Sequence, residues 1–324
     1  MPRKKAQPKP VTPLSASAFE QAWSSLRAPQ APSSAPPPTV SARWLLIAVS
    51  LAIVAAAACA WLTLCLLFWQ GSWQLLYHPT SAVTRTPISI GLPYDSVGFA
   101  ATASGSPQLH GWWIPGHPES RYTAIYLHGA DGNLGNMVDA LIPLHGAGLN
   151  VFAFDYRGYG LSSFQRPSEA HWREDAESAI EYLTNTRHIA AGSLVLFGRG
   201  LGANLALEVA AAHPELAGLV MDEPLPAPED AIFRDPRARL VPAHALVRDR
   251  WDSNPPATSL RIPSLWFYGT PAHGQAQQNR QEAYQRVTAR KEQVWLTESP
   301  DATKNYYFAL TRWLDDLPQK DGDL

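Results

Sequence analysis

Cysteine is nearly missing from this chain: its 324 residues hold two, Cys59 and Cys65, and both fall inside one apolar run. The rest of the chain therefore needs no disulfide, even in an oxidising compartment. Charge is sparse too, with Asp, Glu, Lys and Arg at 17% and a formal net charge of -2, which gives no reason to expect a nucleic-acid partner. There is no H-E-x-x-H motif and no Cys/His pair at ligand spacing, so neither a metal nor another cofactor is expected.

The most prominent feature that is present is a charge-free stretch from Trp44 to Trp69, 26 residues long and longer than the ~20 that cross a bilayer. Residues 44–70 read as one transmembrane helix, with tryptophans at both ends suited to the interfacial aromatic belts. Six of the 26 Lys/Arg lie in residues 1–43, against one acidic residue. That excess places the N-terminal arm in the cytoplasm and the domain beyond the helix on the other side, as a single-pass protein. A cleavable signal peptide has a shorter apolar core, about 7–15 residues; a lipoprotein site at Cys59 is disfavoured because the run continues past it. Residues 1–43, rich in Pro, Ser, Ala and Gln without apolar periodicity, read as a disordered basic arm. Its prolines leave open a polyproline-binding protein partner, although a solvated tail is the simpler reading.

Residues 71–324 have globular composition. Short apolar runs at 96–102, 109–114, 122–127, 151–155, 194–197, 219–222, 264–268 and 293–297 read as strands. They alternate with helix candidates at 136–146, 168–184, 201–212, 275–287 and 303–314. This alternation predicts an α/β fold with a mostly parallel central sheet and helices on both faces. The stretch 224–256, short and rich in proline and charge, is the only candidate cap.

Four strings carry chemistry or its remains. Tyr126-Leu-His-Gly-Ala-Asp-Gly-Asn133 has the form of a strand end followed by an oxyanion loop. Asp155-Tyr-Arg-Gly-Tyr-Gly-Leu-Ser162 is a glycine turn. Phe197-Gly-Arg-Gly-Leu-Gly202 sits between a strand and a helix and has the layout of a G-x-S-x-G nucleophile elbow, with Gly200 at the serine position. Flanking strings at Leu75–Pro79, Gly111–Pro115 and Arg248–Asp252 complete the set. In this order and spacing, from about Gln74 to Leu317, the chain resembles the α/β-hydrolase superfamily. The branch it is most similar to holds membrane-anchored serine hydrolases with small caps that act on acyl esters and monoacylglycerols.

The resemblance implies a Ser, acid, His order along the chain, and each of these positions looks vacant. Gly200 replaces the nucleophile, Ala272 stands at the acid position after Phe267-Tyr-Gly-Thr-Pro, and the loop 297–304, with Ala302 at the histidine position, contains no histidine. The backbone donors need no side chain, so the N–H groups of Leu201 and Ala130 remain candidates for an anion-binding nook at a helix N-terminus. His128, Asp131 and Arg199 complete the candidate binding set. His128 reads mainly as structural, Asp131 either faces the pocket or faces solvent, and Arg199 is shared with active relatives. Asp155 and Arg157 read as turn-fixing groups, and the tryptophans at 112, 113, 172, 251, 266 and 313 as core. The leading expectation is a pseudo-hydrolase that holds an acyl or small-molecule ligand or a protein partner. The alternatives are an active hydrolase using Ser162 or Ser163 with His273 as base, and an interaction protein working through its proline-rich arm.

Overall fold

A computed structural model describes residues 15–27, 40–100, 107–269, 275–296 and 301–318. The chain divides into two units, residues 1–58 and 59–324, and the boundary falls inside a long helix. The N-terminal arm is not without structure: Ala16–Arg27 forms helix α1, which corrects the reading of residues 1–43 as disordered throughout. Phe19 and Trp23 stack at 5.9 Å along it, at the i,i+4 spacing that brings side chains together on one helical face.

Helix α2 runs from Ala42 to Gly71, slightly beyond the expected 44–70. At about 1.5 Å per residue its 30 residues exceed the ~30 Å hydrocarbon core of a bilayer. By length and composition it can cross a membrane.

The domain is built on an eight-stranded sheet: β1 (Asp95–Ala100), β2 (Pro107–Ile114), β3 (Thr123–Leu127), β4 (Asn150–Asp155), β5 (Leu194–Arg199), β6 (Gly218–Asp222), β7 (Ser264–Tyr268) and β8 (Lys291–Trp295). Their spatial order is β8-β7-β6-β5-β3-β4-β2-β1. β2 is antiparallel to both its neighbours, and the other pairings are parallel. Each of the eight strands falls on one of the apolar runs.

Continuous apolar runs suit strands covered on both faces, and the pleat sorts them. Ile125, Leu127, Leu194, Leu196 and Met221 enter one core together with α4 (Glu169–Glu181) and α5 (Leu201–Ala212). Ala124, Tyr126, Val195, Phe197 and Val220 enter the other with α3 (Ile142–Gly146) and α7 (Ala302–Asp315). Helix α6 (Gln275–Arg286) places Ala283 and Tyr284 against the first core. Of the tryptophans expected in the core, five are buried. Trp113 is only half-buried, with the Arg187 guanidinium 4.6 Å from its ring centroid.

Two helices depart from their expected shape. The segment expected as one helix over 136–146 is two 3-10 turns, Leu134–Asn136 and Val138–Leu141, leading into a five-residue α3. Its Asn133 cap and Pro143 favour short turns over a continuous helix. Helix α4 ends at Glu181 and passes into a π-turn over Tyr182–Thr186. The proline-rich stretch after β6 forms short helical segments at Asp230–Phe233, Pro236–Leu240, Ala243–Leu246 and Asn254–Ser259.

Candidate functional site

The elbow joins β5 to α5 at Gly200, whose backbone lies at φ 58°, ψ -123°. A positive φ is strained for a residue with a Cβ and free of strain for glycine. The turn is pinned from the neighbouring strand, where the Asp222 carbonyl accepts the Gly200 N–H at 2.8 Å.

The three glycines of the motif have different reasons to be there. A Cβ on Gly198 would lie 2.3 Å from the Gly202 carbonyl oxygen, and one on Gly202 would lie 2.2 Å from the Leu127 oxygen. Both are glycines because backbone approaches backbone. At Gly200 the nearest heavy atom to a Cβ would be the Gly129 Cα at 3.9 Å. The nucleophile seat therefore has ordinary room for a side chain and carries none.

Two backbone N–H groups lie next to the seat in the chain or to its nearest neighbour: Leu201 follows Gly200, and Ala130 follows Gly129, whose Cα is nearest. Leu201 is the first residue of α5, so its N–H has no intrahelical partner. Among the described residues neither that N–H nor the Ala130 N–H meets a backbone acceptor. The Ala130 peptide is held through its carbonyl, which accepts from the His78 N–H and the Tyr159 hydroxyl, each at 2.9 Å. The oxyanion loop is braced by Asn133, whose amide donates to the Thr80 carbonyl and hydroxyl and to the Ala82 carbonyl.

The other candidate binding residues have different surroundings. His128 is fully buried; its Nδ1 lies 2.7 Å from the Gly129 carbonyl, and its ring packs against Tyr156 at 4.5 Å. Its Nε2 is 3.5 Å from Asp155 Oδ1, so its work is inside the core. The Asp131 side chain is 81% exposed and pairs with His78 at 2.6 Å, which settles its orientation as solvent-facing. Arg199 follows Phe197 on the α7 side of the sheet and lies 3.7 Å from Asp222.

Asp222 was not picked out in the sequence. Burial raises its carboxyl to about 6, opposed by the Arg199 charge and reinforced by Glu223. Burial likewise raises the hydroxyls of Tyr126 and Tyr306 beside it. Asn204 was missed as well: it accepts from the Leu225 N–H at 3.0 Å and donates to Ser253 Oγ at 2.8 Å, tying α5 to the proline-rich stretch. Both residues belong to contacts between distant segments, for which a local motif holds no signal.

Asp155 and Arg157 act as turn-fixing groups. Asp155 Oδ1 accepts the Leu134 N–H at 2.8 Å. Arg157 reaches Asp175 at 2.5 Å and Glu174 at 2.7 Å.

The remaining triad positions are distributed otherwise. Ala272 and His273 lie outside the described residues. Ala302 is the first residue of α7, following Asp301, rather than part of a loop. Ser162 donates to the Asp155 carbonyl at 2.5 Å and accepts the His110 N–H at 2.9 Å, so its hydroxyl is occupied by backbone. A serine does meet a histidine elsewhere: Ser96 Oγ is 2.8 Å from His110 Nε2. That pair sits on the outer hairpin, with β1 four strand spacings from β5, roughly 19 Å at ~4.8 Å each.

An eight-stranded, mostly parallel sheet with a glycine elbow after its fifth strand defines the α/β-hydrolase fold. Comparison with known proteins agrees. The family described as "Serine aminopeptidase, S33" matches residues 118–254. An uncharacterised protein of Mycobacterium tuberculosis (strain CDC 1551 / Oshkosh) is 30% identical over 220 residues, covering 67% of this chain and 75% of that one. The mouse (Mus musculus) alpha/beta hydrolase domain-containing protein 17C is 27% identical over 186 residues, 55% of this chain and 54% of its own. Among solved structures, the Pyrococcus furiosus esterase Pf2001 superposes with a TM-score of 0.57 at 20% identity, over 75% of this chain and 98% of the esterase. The chain belongs to the α/β-hydrolase superfamily.

Proposed function

We propose that this chain is a membrane-anchored α/β-hydrolase-fold protein without hydrolytic activity, whose nook at Gly200 holds an acyl or other small ligand or a protein partner. The observation that carries the reading is the Gly200 seat, which keeps the elbow backbone and space for a side chain but has no hydroxyl. Acyl transfer through this elbow needs a nucleophile there and a base beside it. With glycine in place of the nucleophile, what remains at the elbow among the described residues is a pair of backbone N–H groups and the N-terminus of α5, an arrangement that favours a carboxylate or carbonyl oxygen.

Anchoring rests on α2, which is long and apolar enough to span a bilayer. The basic arm before it favours a cytoplasmic N-terminus. The test uses the full chain purified in detergent with short acyl esters and a fluorophosphonate probe. The expected result is no turnover and no labelling. Labelling that maps to any serine and disappears on its replacement by alanine would overturn the reading.

A further inference from the structure

A groove of about 310 Å³ lies beside the last turn of α2, within the unit formed by residues 59–324. Its walls include Trp69, Trp73, Ile232, Leu246, Arg166 and Arg248. Arg166 donates to the Trp69 carbonyl at 3.0 Å and places its guanidinium 5.9 Å from the Trp73 ring centroid. That carbonyl lies in the last turn of α2, so the arginine is tied to the end of α2 itself. Arg248 is exposed and makes no hydrogen bond or ion pair among the described residues. Asp249, the one carboxylate in the wall, is bonded by the Tyr77 hydroxyl at 2.7 Å, which in turn accepts from Trp251 Nε1 at 3.1 Å. The groove wall thus holds two arginines and one engaged carboxylate. Phe164, two residues before Arg166 in the same loop, is 97% exposed.

These features point to one occupant. The groove shares Trp69 with the end of an apolar helix, so if α2 spans the bilayer the groove lies at headgroup depth, where indoles and arginines are favoured. Guanidinium groups in one groove wall suit a phosphate, and the indoles suit the apolar boundary beneath it. We propose that this groove seats the phosphate headgroup of an anionic phospholipid from the bilayer that α2 crosses. The proposal rests on the reading of α2 as a span.

The experiment reconstitutes the full chain in vesicles of phosphatidylcholine alone and of phosphatidylcholine mixed with phosphatidylglycerol. Insertion is read by resistance to alkaline extraction, and retained lipid by mass spectrometry after detergent solubilisation. Wild type should retain phosphatidylglycerol in preference to phosphatidylcholine. Arg248→Gln, at an exposed and unbonded position, should lower that enrichment roughly fivefold, and Arg166→Gln with Arg248→Gln further. Insertion should be unchanged in both, and Arg261→Gln, outside the groove, should leave the enrichment intact. Equal enrichment in wild type and Arg248→Gln, or an equal loss with Arg261→Gln, would overturn the headgroup site while α2 still inserts. Extraction of wild type from both kinds of vesicle would instead refute the span, and the headgroup site with it.

Discussion

Two glycine turns leave the C-terminal edge of the sheet side by side in the sequence of strands, one after β4 and one after β5. In the first, Gly158 and Gly160 have positive φ and side chains do the holding: Asp155 bonds the Leu134 N–H, Ser162 bonds the Asp155 carbonyl, and Arg157 bonds Asp175 and Glu174. In the second, Gly198 and Gly202 pack backbone against backbone, while Gly200 has room for a side chain. The first turn keeps residues that brace the fold. The second keeps its shape and lacks the one side chain that would do chemistry.

The comparison can be broken most forcefully in the first turn. Asp175→Ala would leave the Arg157 guanidinium buried without its main partner, and we expect a loss of about 3–5 kcal/mol in denaturant unfolding. A loss below about 1 kcal/mol would mean that Glu174 alone holds the turn. Next comes Gly202→Ala, whose Cβ would meet the Leu127 and His128 carbonyl oxygens; overpacking of this kind costs about 1–3 kcal/mol, measured by the same unfolding titration. Gly200→Ser sharpens the contrast, because its cost should be confined to the positive φ, about 1 kcal/mol. It should also leave ester hydrolysis at background. Turnover appearing with that single change would reveal a base within reach of the elbow.

The smallest expected effect is a pH slope. Burial holds the Asp222 carboxyl at about 6 in the folded state, above ~3.9 for an unfolded aspartate. Between those values the folded state binds more protons, so this group's contribution to stability is lost as pH rises from about 4 to about 6. Asp222→Asn should flatten that part of the stability–pH curve. A slope of unchanged size would assign it to another group.

Much of the fold was legible in the residues. Eight apolar runs became eight strands because buried parallel strands are apolar on both faces, and α5 matched its expected bounds of Leu201 and Ala212 because the glycine turn marks its start. Helix α1 was hidden among polar and small residues, since its large apolar residues, Phe19, Trp23 and Leu26, are few. The segment 136–146 read as one helix because its apolar spacing outweighed the turn chemistry of Asn133 and Pro143. In the candidate site, the vacant position was visible as a letter in a motif. The exposure of Asp131 and the burial of His128 were not, because solvent access depends on segments that pack from elsewhere in the chain.

By itself, the amino-acid sequence determined the α/β class, the long apolar helix and the glycine at position 200 of the elbow motif, since each is written in local composition, periodicity or spacing. The tertiary structure alone decided that Gly202 is obligatory while Gly200 is an open seat, because the Leu127 and His128 oxygens that exclude a side chain at Gly202 are brought in by β3 and the loop after it. It also brought Arg166 from the loop after β4 to the end of α2, a meeting across 97 positions that no local pattern records.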